Sequence, residues 1–546
     1  MAPRQAAALA ALAALGTLAC ASARPGTGAD GASPPGSSSP VAGTATAGAD
    51  SSAPSAGASD PRVAGALAAL EAGERSLAAG DPAGTLAAFD RAAAVLGAAL
   101  LYQDADPEAG GEVGRRIAAG SARAYLQLGE PYLAAIEARR ALNLERDDAA
   151  LQALLGTSLY RSGRFEQAEA AFAEALRLDP ACAPAHAGQG LLELSANHLA
   201  SARERLDRAY RLDGDPAHLL LLARIAFIER DYGTAADRLD EYLGRVRELL
   251  PERRDELRER SRVYSRLKDG KGSRFASQVT RGQLRFDVAR GDEVPLLPVR
   301  IDGHDPVYVI FDTGAQDHVL DAGFARELGL ELSPSAGRVE STLGGAERRL
   351  AVLDSLNLGG VVIQNVPVSV ADFDTLGLRG RASYYVAGVL NPALLLRDFL
   401  VRVDFYHRTI DLQRYDAGGA GYAESSPALR RLSVPFRFNA DGTGVVVVGD
   451  LGPSGGHPLL LDTGASDIYV SARVASALGL DPLDLSVGLG AYRRDRLRAH
   501  FLRELETVEE GGRPDGVAYD GILGYPFFRD MRLVFDYYHG LLLIEN

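Results

Sequence analysis

The triplet Asp-Thr-Gly occurs twice in this chain, beginning at Asp312 and at Asp462, and 150 residues separate the two copies. Two carboxyl groups about 3 Å apart cannot both ionise, so such a pair holds one proton between them. One oxygen of the pair can then act as a base while the protonated partner acts as an acid. The two triplets therefore predict an acid–base site, provided that the fold brings the two aspartates together.

The triplets lie within a longer duplication. Each triplet follows an apolar run and precedes a predicted short helix that ends in Leu-Gly-Leu. Each copy then continues with an apolar turn that contains glycine and ends with a further strand. The paired segments are 307–311 and 459–461, 328–330 and 478–480, 386–390 and 519–523, and 401–405 and 533–537. A whole lobe is therefore repeated, rather than a triplet alone.

The elements that must position the two aspartates are predicted to be β-strands. After about Gln278 the chain shows short alternating apolar runs separated by Gly, Pro and Asp, which is typical of an all-β region. We predict two lobes, at residues 278–415 and 416–546. Two lobes on one polypeptide have a high effective concentration for each other, so we expect them to pair within one chain, and pairing between chains is the alternative.

This pattern resembles the aspartic proteases of the pepsin and retropepsin clan, in the form of a single chain with two retropepsin-like lobes. The resemblance covers roughly residues 278–546. It implies that Asp312 and Asp462 activate a water molecule for attack on a peptide bond. Because the pair titrates as a unit, neither aspartate is assigned the proton.

The resemblance also implies roles for the neighbours of the two aspartates. The threonine hydroxyls would cross-link the two loops, and the glycines would let the loops approach closely and donate their amides to the carboxylates. These supporting residues are Thr313, Gly314, Thr463 and Gly464. Asp317 and Asp467 match positions that contact the substrate backbone in retropepsin-like enzymes.

Catalysis of this kind needs a hairpin flap that excludes water from the reacting bond. In the first lobe the candidate runs from Arg338 to Leu350 and turns at Gly344-Gly345, which are included among the predicted substrate-binding residues. In the second lobe the candidate is Gly488 to Arg494, including Tyr492. The tighter spacing in the second lobe predicts a reduced flap.

The first lobe departs from the family pattern at Asn391, where the second lobe has Gly524. Asparagine tolerates a left-handed backbone better than most residues, so we expect the turn to survive. His318 aligns with Ile468 of the other lobe, which favours a structural side chain over a catalytic one.

Residues 61–250 repeat with a period near 34 residues. Three copies keep one register, and weaker copies lie on either side. The best copy carries Leu155, Gly156, Leu159, Gly163, Ala168, Phe172, Ala175 and Pro180, a pattern that resembles the tetratricopeptide repeat. The resemblance implies four or five helical hairpins stacked into a solenoid that binds a peptide or protein. An alanine-rich helical bundle is the alternative.

Residues 251–277 are predicted to be a charged helical linker. The segment is dense in Arg, Glu and Asp and reaches a helix breaker at residues 269–272. We expect a solvated helix at a domain boundary.

The first 20 residues are predicted to be a signal peptide, because an uncharged run from Ala6 to Leu18 is too short to span a membrane as a mature helix. Its end resembles a bacterial lipobox, although Thr17 replaces the usual leucine, and the resemblance implies lipidation of Cys20. Ordinary signal cleavage after an alanine is the alternative. Residues 21–60, rich in Ala, Gly, Ser, Thr and Pro, are predicted to be a disordered linker.

The composition excludes several classes of protein. The chain of 546 residues is long enough for three or four structural units, and its formal net charge is −14 at pH 7. An acidic surface repels polyanions, so no nucleic-acid partner is expected. The cysteines Cys20 and Cys182 and the nine histidines lack metal-site spacing. No metal and no other cofactor is predicted.

Together these features predict a multidomain protein in which an α-helical tetratricopeptide-repeat solenoid precedes an all-β, two-lobed aspartic protease domain. We expect a monomeric aspartic endopeptidase on the periplasmic face of a bacterial cell envelope, anchored to the membrane through lipid on Cys20. The repeats would recruit the peptide or protein substrate, or a partner protein. The alternative is a noncatalytic envelope scaffold or peptide-binding protein with a degenerate protease fold.

Overall fold

The computed structural model describes residues 61–101, 107–268, 274–275, 280–288, 293–341, 344–378, 385–415, 431–503 and 516–545. The predicted signal peptide, Cys20 and the linker of residues 21–60 lie outside the described residues. No helix in the described part of the chain has both the length and the apolar character needed to cross a membrane.

The first half of the described chain is a series of helices, each packed against the next. Their bounds are α1 (Pro61–Ala78), α2 (Pro82–Leu101), α3 (Pro107–Gln127), α4 (Pro131–Leu144), α5 (Ala149–Arg161), α6 (Phe165–Leu178), α7 (Ala183–Ser195), α8 (Leu199–Asp213), α9 (Ala217–Ile228) and α10 (Tyr232–Arg245). Local sequence fixes several starts: the Asp148 side chain accepts the Leu151 amide at the start of α5, and Pro131 opens α4. Short connections make neighbouring helices antiparallel.

The turns inside successive hairpins share one backbone feature. Gly129, Gly163, Asn197 and Arg230 all have a positive φ, between 62° and 74°, which lets the chain reverse sharply after a helix. Their spacings are 34, 34 and 33 residues. These spacings reproduce the predicted repeat period, and the last copy is one residue shorter than the others.

The centre of the array is packed around Phe172 of α6, which is fully buried. A Cβ atom added to Gly156 or to Gly188 would lie within 2.6 Å of the Phe172 ring. The two glycines therefore let α5 and α7 approach the aromatic ring from both sides, as the repeat pattern predicts.

We expect Gly188→Ala to lower the free energy of unfolding of the array by about 1–3 kcal/mol, because the new methyl group overpacks the Phe172 ring. Gly244→Ala is the matched control, since Gly244 lies in α10 with no atom within 4 Å of a new Cβ. This control should be neutral or stabilising by up to about 1 kcal/mol. Urea unfolding of both variants tests the difference, and equal stabilities would contradict the packing of Phe172.

The same row of turns docks onto the β region. At each turn a side chain, or at Gly163 the backbone, lies close to a β-region residue. The contacts are Glu130 with Arg473, Gly163 with Pro458, Asn197 with the Tyr537 carbonyl, and Arg230 with Asp398. The helical array is therefore seated along one edge on both lobes.

Helix α11 (Pro251–Arg266) forms within the predicted linker, but it is not the solvated helix that its charge predicts. Glu256, Glu259 and Ser261 are each at most 5% exposed. One side of α11 is covered because the helix packs between α10 and the first lobe. The predicted breaker at residues 269–272 lies outside the described residues.

The β region consists of two lobes. The first contains β1 (Arg274–Phe275), β2 (Arg281–Arg285), β3 (Asp287–Val288), β4 (Pro295–Ile301), β5 (Val307–Phe311), β6 (Val319–Asp321), α12 (Ala322–Glu327), β7 (Arg338–Ser341), β8 (Gly344–Glu347), β9 (Arg349–Leu358), β10 (Val361–Ala371), β11 (Val386–Leu390), α13 (Pro392–Leu395), β12 (Phe399–Asp404) and β13 (Thr409–Arg414). The second contains β14 (Arg431–Phe438), β15 (Val445–Leu451), β16 (Ser454–Leu461), β17 (Tyr469–Ser471), α14 (Ala472–Leu478), β18 (Leu485–Leu489), β19 (Tyr492–Leu497), β20 (His500–Leu502), β21 (Gly521–Leu523), α15 (Tyr525–Phe528), β22 (Arg532–Asp536) and β23 (Leu541–Glu545).

The two lobes have matching topologies and share one sheet. In the first lobe β11 runs parallel to β5 and antiparallel to β6, and in the second β21 runs parallel to β16 and antiparallel to β17. The shared antiparallel sheet has the order β2-β13-β12-β22-β23-β14, with β12 and β22 paired across the lobe boundary. This sheet holds the lobes together so that equivalent loops can meet.

Candidate active site

The two Asp-Thr-Gly loops begin where equivalent strands end. Asp312 follows β5 and donates its amide to the Leu390 carbonyl at 3.0 Å, and Asp462 follows β16 and donates its amide to the Leu523 carbonyl at 3.0 Å. Each loop is thus pinned to the end of the parallel neighbour strand in its own lobe. The duplication in the sequence becomes an approximate twofold arrangement in the structure.

The threonines of the two loops bond to each other's backbone. The Thr313 amide donates to Thr463 Oγ1 at 3.1 Å, and the Thr463 amide donates to Thr313 Oγ1 at 3.0 Å. The hydroxyls in turn donate to the carbonyls of Leu461, at 2.7 Å, and Phe311, at 2.6 Å. These four bonds, all buried, tie the loops of the two lobes together within one chain.

The glycines leave room for the opposite carboxyl group. A Cβ atom on Gly314 would lie 2.6–2.9 Å from the carboxyl atoms of Asp462, and one on Gly464 would lie 2.4–2.9 Å from those of Asp312. The amides of Gly314 and Ala315 donate to Asp312 Oδ1, and the Gly464 amide donates to Asp462 Oδ1. Each carboxyl group is therefore oriented by its own loop and packed against the other.

The carboxyl groups of Asp312 and Asp462 are 0% exposed. Burial raises the pKa of both, and the charge of Asp312 adds to the effect on the pKa of Asp462. Among the described residues, no donor forms a hydrogen bond to the Oδ2 atom of either aspartate. The pair thus keeps one proton near neutral pH. The two Oδ2 atoms can hold this proton and bind a water molecule.

The raised pKa values predict how stability depends on pH. Between the ordinary carboxyl pKa and the raised folded values, unfolding releases a proton, so the stability of the wild-type chain falls as pH rises through this window. We expect Asp462→Asn to be more stable than wild type at pH 7, on the order of 1–3 kcal/mol, with the difference vanishing below about pH 4. Urea unfolding at both pH values tests this, and a variant that is no more stable at pH 7 would argue against a strained pair.

The structure places Asp317 and Asp467 in different surroundings. Asp317 Oδ2 lies 2.8 Å from Arg260 Nη2 of α11. Burial favours a higher pKa for Asp317, but the charges of Arg260 and Arg224 outweigh it and the pKa is lowered. Asp467 instead lies 3.5 Å from His500 of its own lobe, and this interaction raises the pKa of His500. The predicted substrate contacts of the two aspartates are therefore not equivalent.

The first lobe has the predicted flap hairpin, formed by β7 and β8. Ser341 pairs with Gly344 and Glu340 with Gly345, so both glycines lie in a strand and the predicted turn at Gly344-Gly345 is wrong. Gly344 and Gly345 instead begin β8. Ala346 in β8 belongs to the same buried apolar cluster as Ile310, which lies next to the loop of Asp312. The hairpin thus lies over the apolar face beside the pair of aspartates.

The predicted second-lobe flap, Gly488 to Arg494, is not a flap. β15 pairs with β18 as β4 pairs with β9, and β20 runs parallel to β17 as β10 runs parallel to β6. The β18–β19 hairpin therefore corresponds to β9–β10, and Tyr492 packs edge-on against Phe527 of its own lobe. Among the described residues, the second lobe has no hairpin equivalent to β7–β8.

A different element covers the corresponding apolar face of the second lobe. In the first lobe this face is formed by Ile310, Ala315, Val319 and Val389, clustered with Ala346 of β8. The equivalent second-lobe residues are Leu460, Ala465, Tyr469 and Ile522, and they belong to one apolar cluster with helical-repeat residues such as Tyr160 and Phe165. The repeats thus occupy the side of the second lobe on which a second flap would lie.

We expected Asn391 to adopt a left-handed backbone, which asparagine tolerates, but it does not. Its φ is −86°, and Gly524 has φ −97°, so neither position requires a positive φ. Glycine is needed in the second lobe for space, because a Cβ on Gly524 would lie 2.1 Å from the Asp467 carbonyl oxygen. In the first lobe the Asn391 amide group fills this space and donates to the Ala315 carbonyl.

His318 lies beside this turn in the interior. Its Nδ1 accepts the Asn391 backbone amide at 3.2 Å, and burial lowers the pKa of His318 to about 4. A neutral, hydrogen-bonded histidine is a structural side chain, as the alignment with Ile468 predicts.

Two arginines beside the site come from helices outside the lobes and carry no motif that points to it. Arg224 of α9 donates to the carbonyls of Asp441, at 2.6 Å, and Gln316, at 3.4 Å, while Arg260 of α11 binds Asp317. In the sequence, Arg260 is marked only by the charged run around it, and such a run is equally typical of a solvent-exposed helix face.

Comparisons with known proteins agree with this architecture. Residues 297–395 match a family model described as aspartyl protease, a stretch that contains Asp312 but not Asp462. The helical region is similar to PilF of Pseudomonas aeruginosa, with 23% identity, 38% of this chain and 93% of that chain covered and a TM-score of 0.29. It is also similar to a thermophilic tetratricopeptide-repeat protein of Thermus thermophilus, with 22% identity, coverages of 37% and 100% and a TM-score of 0.30.

Basic 7S globulin from soybean is a further similar structure, with 12% identity, 49% of this chain and 94% of that chain covered and a TM-score of 0.33. A search of curated proteins found no match. The predicted resemblance and fold class are confirmed: repeated helices precede a β-rich region, of which residues 297–395 match the aspartyl protease family model.

Proposed function

We propose that this protein is an aspartic endopeptidase that hydrolyses peptide bonds with a water molecule activated between Asp312 and Asp462. The observation that carries the proposal is the pair of cross-linked loops, in which each buried carboxyl group packs against the glycine of the opposite loop. Two acids of raised pKa in one desolvated site have the shared proton that such chemistry requires.

In the proposed reaction the ionised member of the pair takes a proton from water as the water oxygen bonds to the scissile carbonyl carbon. The protonated member donates its proton to the carbonyl oxygen, so the pair keeps one proton throughout. In the second step the member that now holds the proton donates it to the peptide nitrogen, while the other member takes a proton from a hydroxyl of the tetrahedral intermediate. The C–N bond then breaks to give a carboxylic acid and an amine, and the pair again holds one proton. The amides that donate to each Oδ1 hold the carboxyl groups in position during these steps.

The cellular setting belongs to the same proposal. The lipobox-like ending at Cys20 supports export and lipid anchoring at the periplasmic face of a bacterial envelope, and the linker of residues 21–60 would hold the folded body away from the membrane. The repeats would recruit a protein substrate or partner. Since both loops pair within one polypeptide, the active form is proposed to be a monomer.

A noncatalytic peptide-binding scaffold is the second candidate. Three observations favour it: the carboxyl pair is fully buried, Asp317 is bound by Arg260, and the repeats cover the apolar face of the second lobe. In this case the duplicated lobes would bind peptides without cleaving them.

A mixed peptide library, incubated with the full mature chain from acid to neutral pH and analysed by mass spectrometry, separates the two candidates. Cleavage at internal bonds supports the endopeptidase. Peptide binding without cleavage at every pH supports the scaffold.

A further inference from the structure

Helix α11 contacts two parts of the first lobe that a catalytic cleft must hold in register. One is the loop that carries Asp312, and the other is the base of the β7–β8 hairpin. Neither contact involves the second lobe, and α11 itself belongs to the segment between the helical repeats and the β region. The helix belongs to neither lobe. It therefore links the floor of the proposed site, which is the loop of Asp312, to its cover, which is the β7–β8 hairpin.

The contact with the floor is made by Arg260. Its Nη2 lies 2.8 Å from Asp317 Oδ2, and Asp317 is five residues after Asp312 on the same loop. The arginine and aspartate side chains are only 19% and 17% exposed, so the pair is poorly screened by solvent. Arg224 holds the preceding residue of the loop through the Gln316 carbonyl.

The contact with the cover is made by Glu256. Its Oε1 lies 2.5 Å from Arg348 Nη2, and both side chains are at most 6% exposed. Arg348 closes the base of the hairpin: its backbone amide donates to the Gly337 carbonyl at 2.9 Å, and its Nε donates to the Ala336 carbonyl at 3.0 Å. Strand β7 begins directly after Gly337, and β8 ends directly before Arg348.

Glu256 and Arg260 also bind each other, with Arg260 Nε 3.3 Å from Glu256 Oε1. One carboxylate oxygen of Glu256 thus lies within ion-pair distance of two guanidinium groups, one at the hairpin base and one that reaches the loop of Asp312. Burial favours a higher pKa for Glu256, but Arg348, Arg260 and Arg253 outweigh it and hold the pKa well below its usual range. The result is a continuous ionic chain from Asp317 through Arg260 and Glu256 to Arg348.

We propose that Glu256 and Arg260 are positioning residues that fix the β7–β8 hairpin relative to the loop of Asp312. The inference rests on the proposed function in so far as the hairpin covers a catalytic pair. Neither residue touches the reacting atoms.

Glu256→Gln tests the proposal, because it removes the charge that separates Arg260 from Arg348 and leaves two buried cations facing each other. Hydrogen exchange of β7 and β8 should become faster by about tenfold or more, while exchange in β16 and β21 of the second lobe stays unchanged. Cleavage, measured as kcat/KM, should fall by about tenfold with an unchanged pH profile, since the carboxyl pair is intact.

Asp255→Asn is the matched control, since Asp255 is an acid on the same helix whose side chain is 58% exposed. It should leave exchange and cleavage at wild-type values. Arg260→Lys is the second variant: it keeps the charge but loses the forked geometry, so exchange of residues 312–320 should increase even if Glu256→Gln proves poorly folded.

Hydrogen exchange makes the test independent of catalysis. If wild type cleaves nothing but Glu256→Gln still loosens β7 and β8, the proposed function fails and the positioning role stands. If the folded Glu256→Gln and Arg260→Lys variants both exchange as wild type does in residues 312–320 and 338–347, the positioning role is overturned, whatever the activity.

Discussion

Asp312→Asn and Asp462→Asn are each expected to lower kcat/KM for peptide hydrolysis by about a thousandfold or more. An amide neither takes a proton from water nor shares one with the remaining carboxyl group. Both variants should fold, because the amides that orient Oδ1 remain and the threonine cross-links between the loops are untouched. Steady-state cleavage of a peptide identified from the library provides the measurement.

Asp305→Asn is the matched control for these substitutions, because Asp305 is an aspartate of the first lobe with a fully exposed side chain. It should cleave at the wild-type rate. The double variant Asp312→Asn/Asp462→Asn should be no slower than either single variant, since the pair works as a unit. Cleavage that survives either single substitution would rule out the proposed chemistry.

Thr463→Val is expected to lower the free energy of unfolding of the β region by about 2–6 kcal/mol, because the buried Thr313 amide and Phe311 carbonyl lose their partner and each unsatisfied group costs about 1–3 kcal/mol. Valine has nearly the same shape as threonine, so the loss reports the hydroxyl rather than a cavity. The loops should also separate at their base, and cleavage should fall with stability.

Thr463→Ser restores the hydroxyl and provides the control. It should recover most of the stability and cleavage that valine loses, apart from a cavity term for the missing methyl group of about 1 kcal/mol. Urea unfolding of the two variants side by side tests the prediction. Equal stabilities of the serine and valine variants would show that the reciprocal hydrogen bonds contribute little to lobe pairing.

The duplicated motifs could be found from sequence because they repeat with their flanks. The same order of strand, triplet, helix and glycine turn occurs twice in the sequence, which predicts two equivalent lobes. The pairing of Asp312 with Asp462 follows from this equivalence. The repeat period of the helical half was equally accessible, since Gly129, Gly163, Asn197 and Arg230 recur where each hairpin turns. In both cases the signal is periodic and local.

The role of α11 could not be predicted, because its charges are compatible with either water or a charged partner. The partner of Glu256 is Arg348, 92 residues later in the chain, and sequence contains no rule that pairs them. Similarly, the tight spacing of the second lobe indicated a reduced flap but could not show that the hairpin at Gly488 pairs with its own sheet. Such features depend on which surfaces meet after folding.

The unlike coverings of the two lobes have a consequence for what the molecule can accept. A polypeptide has a direction, and the apolar walls on either side of the aspartate pair differ, with a hairpin strand on one side and helical repeats on the other. A peptide bound between these walls would contact different residues if its direction were reversed. Although the two lobes are duplicates in sequence, we therefore expect a peptide to bind in a single orientation. The residue preferences on the two sides of the aspartate pair should then differ.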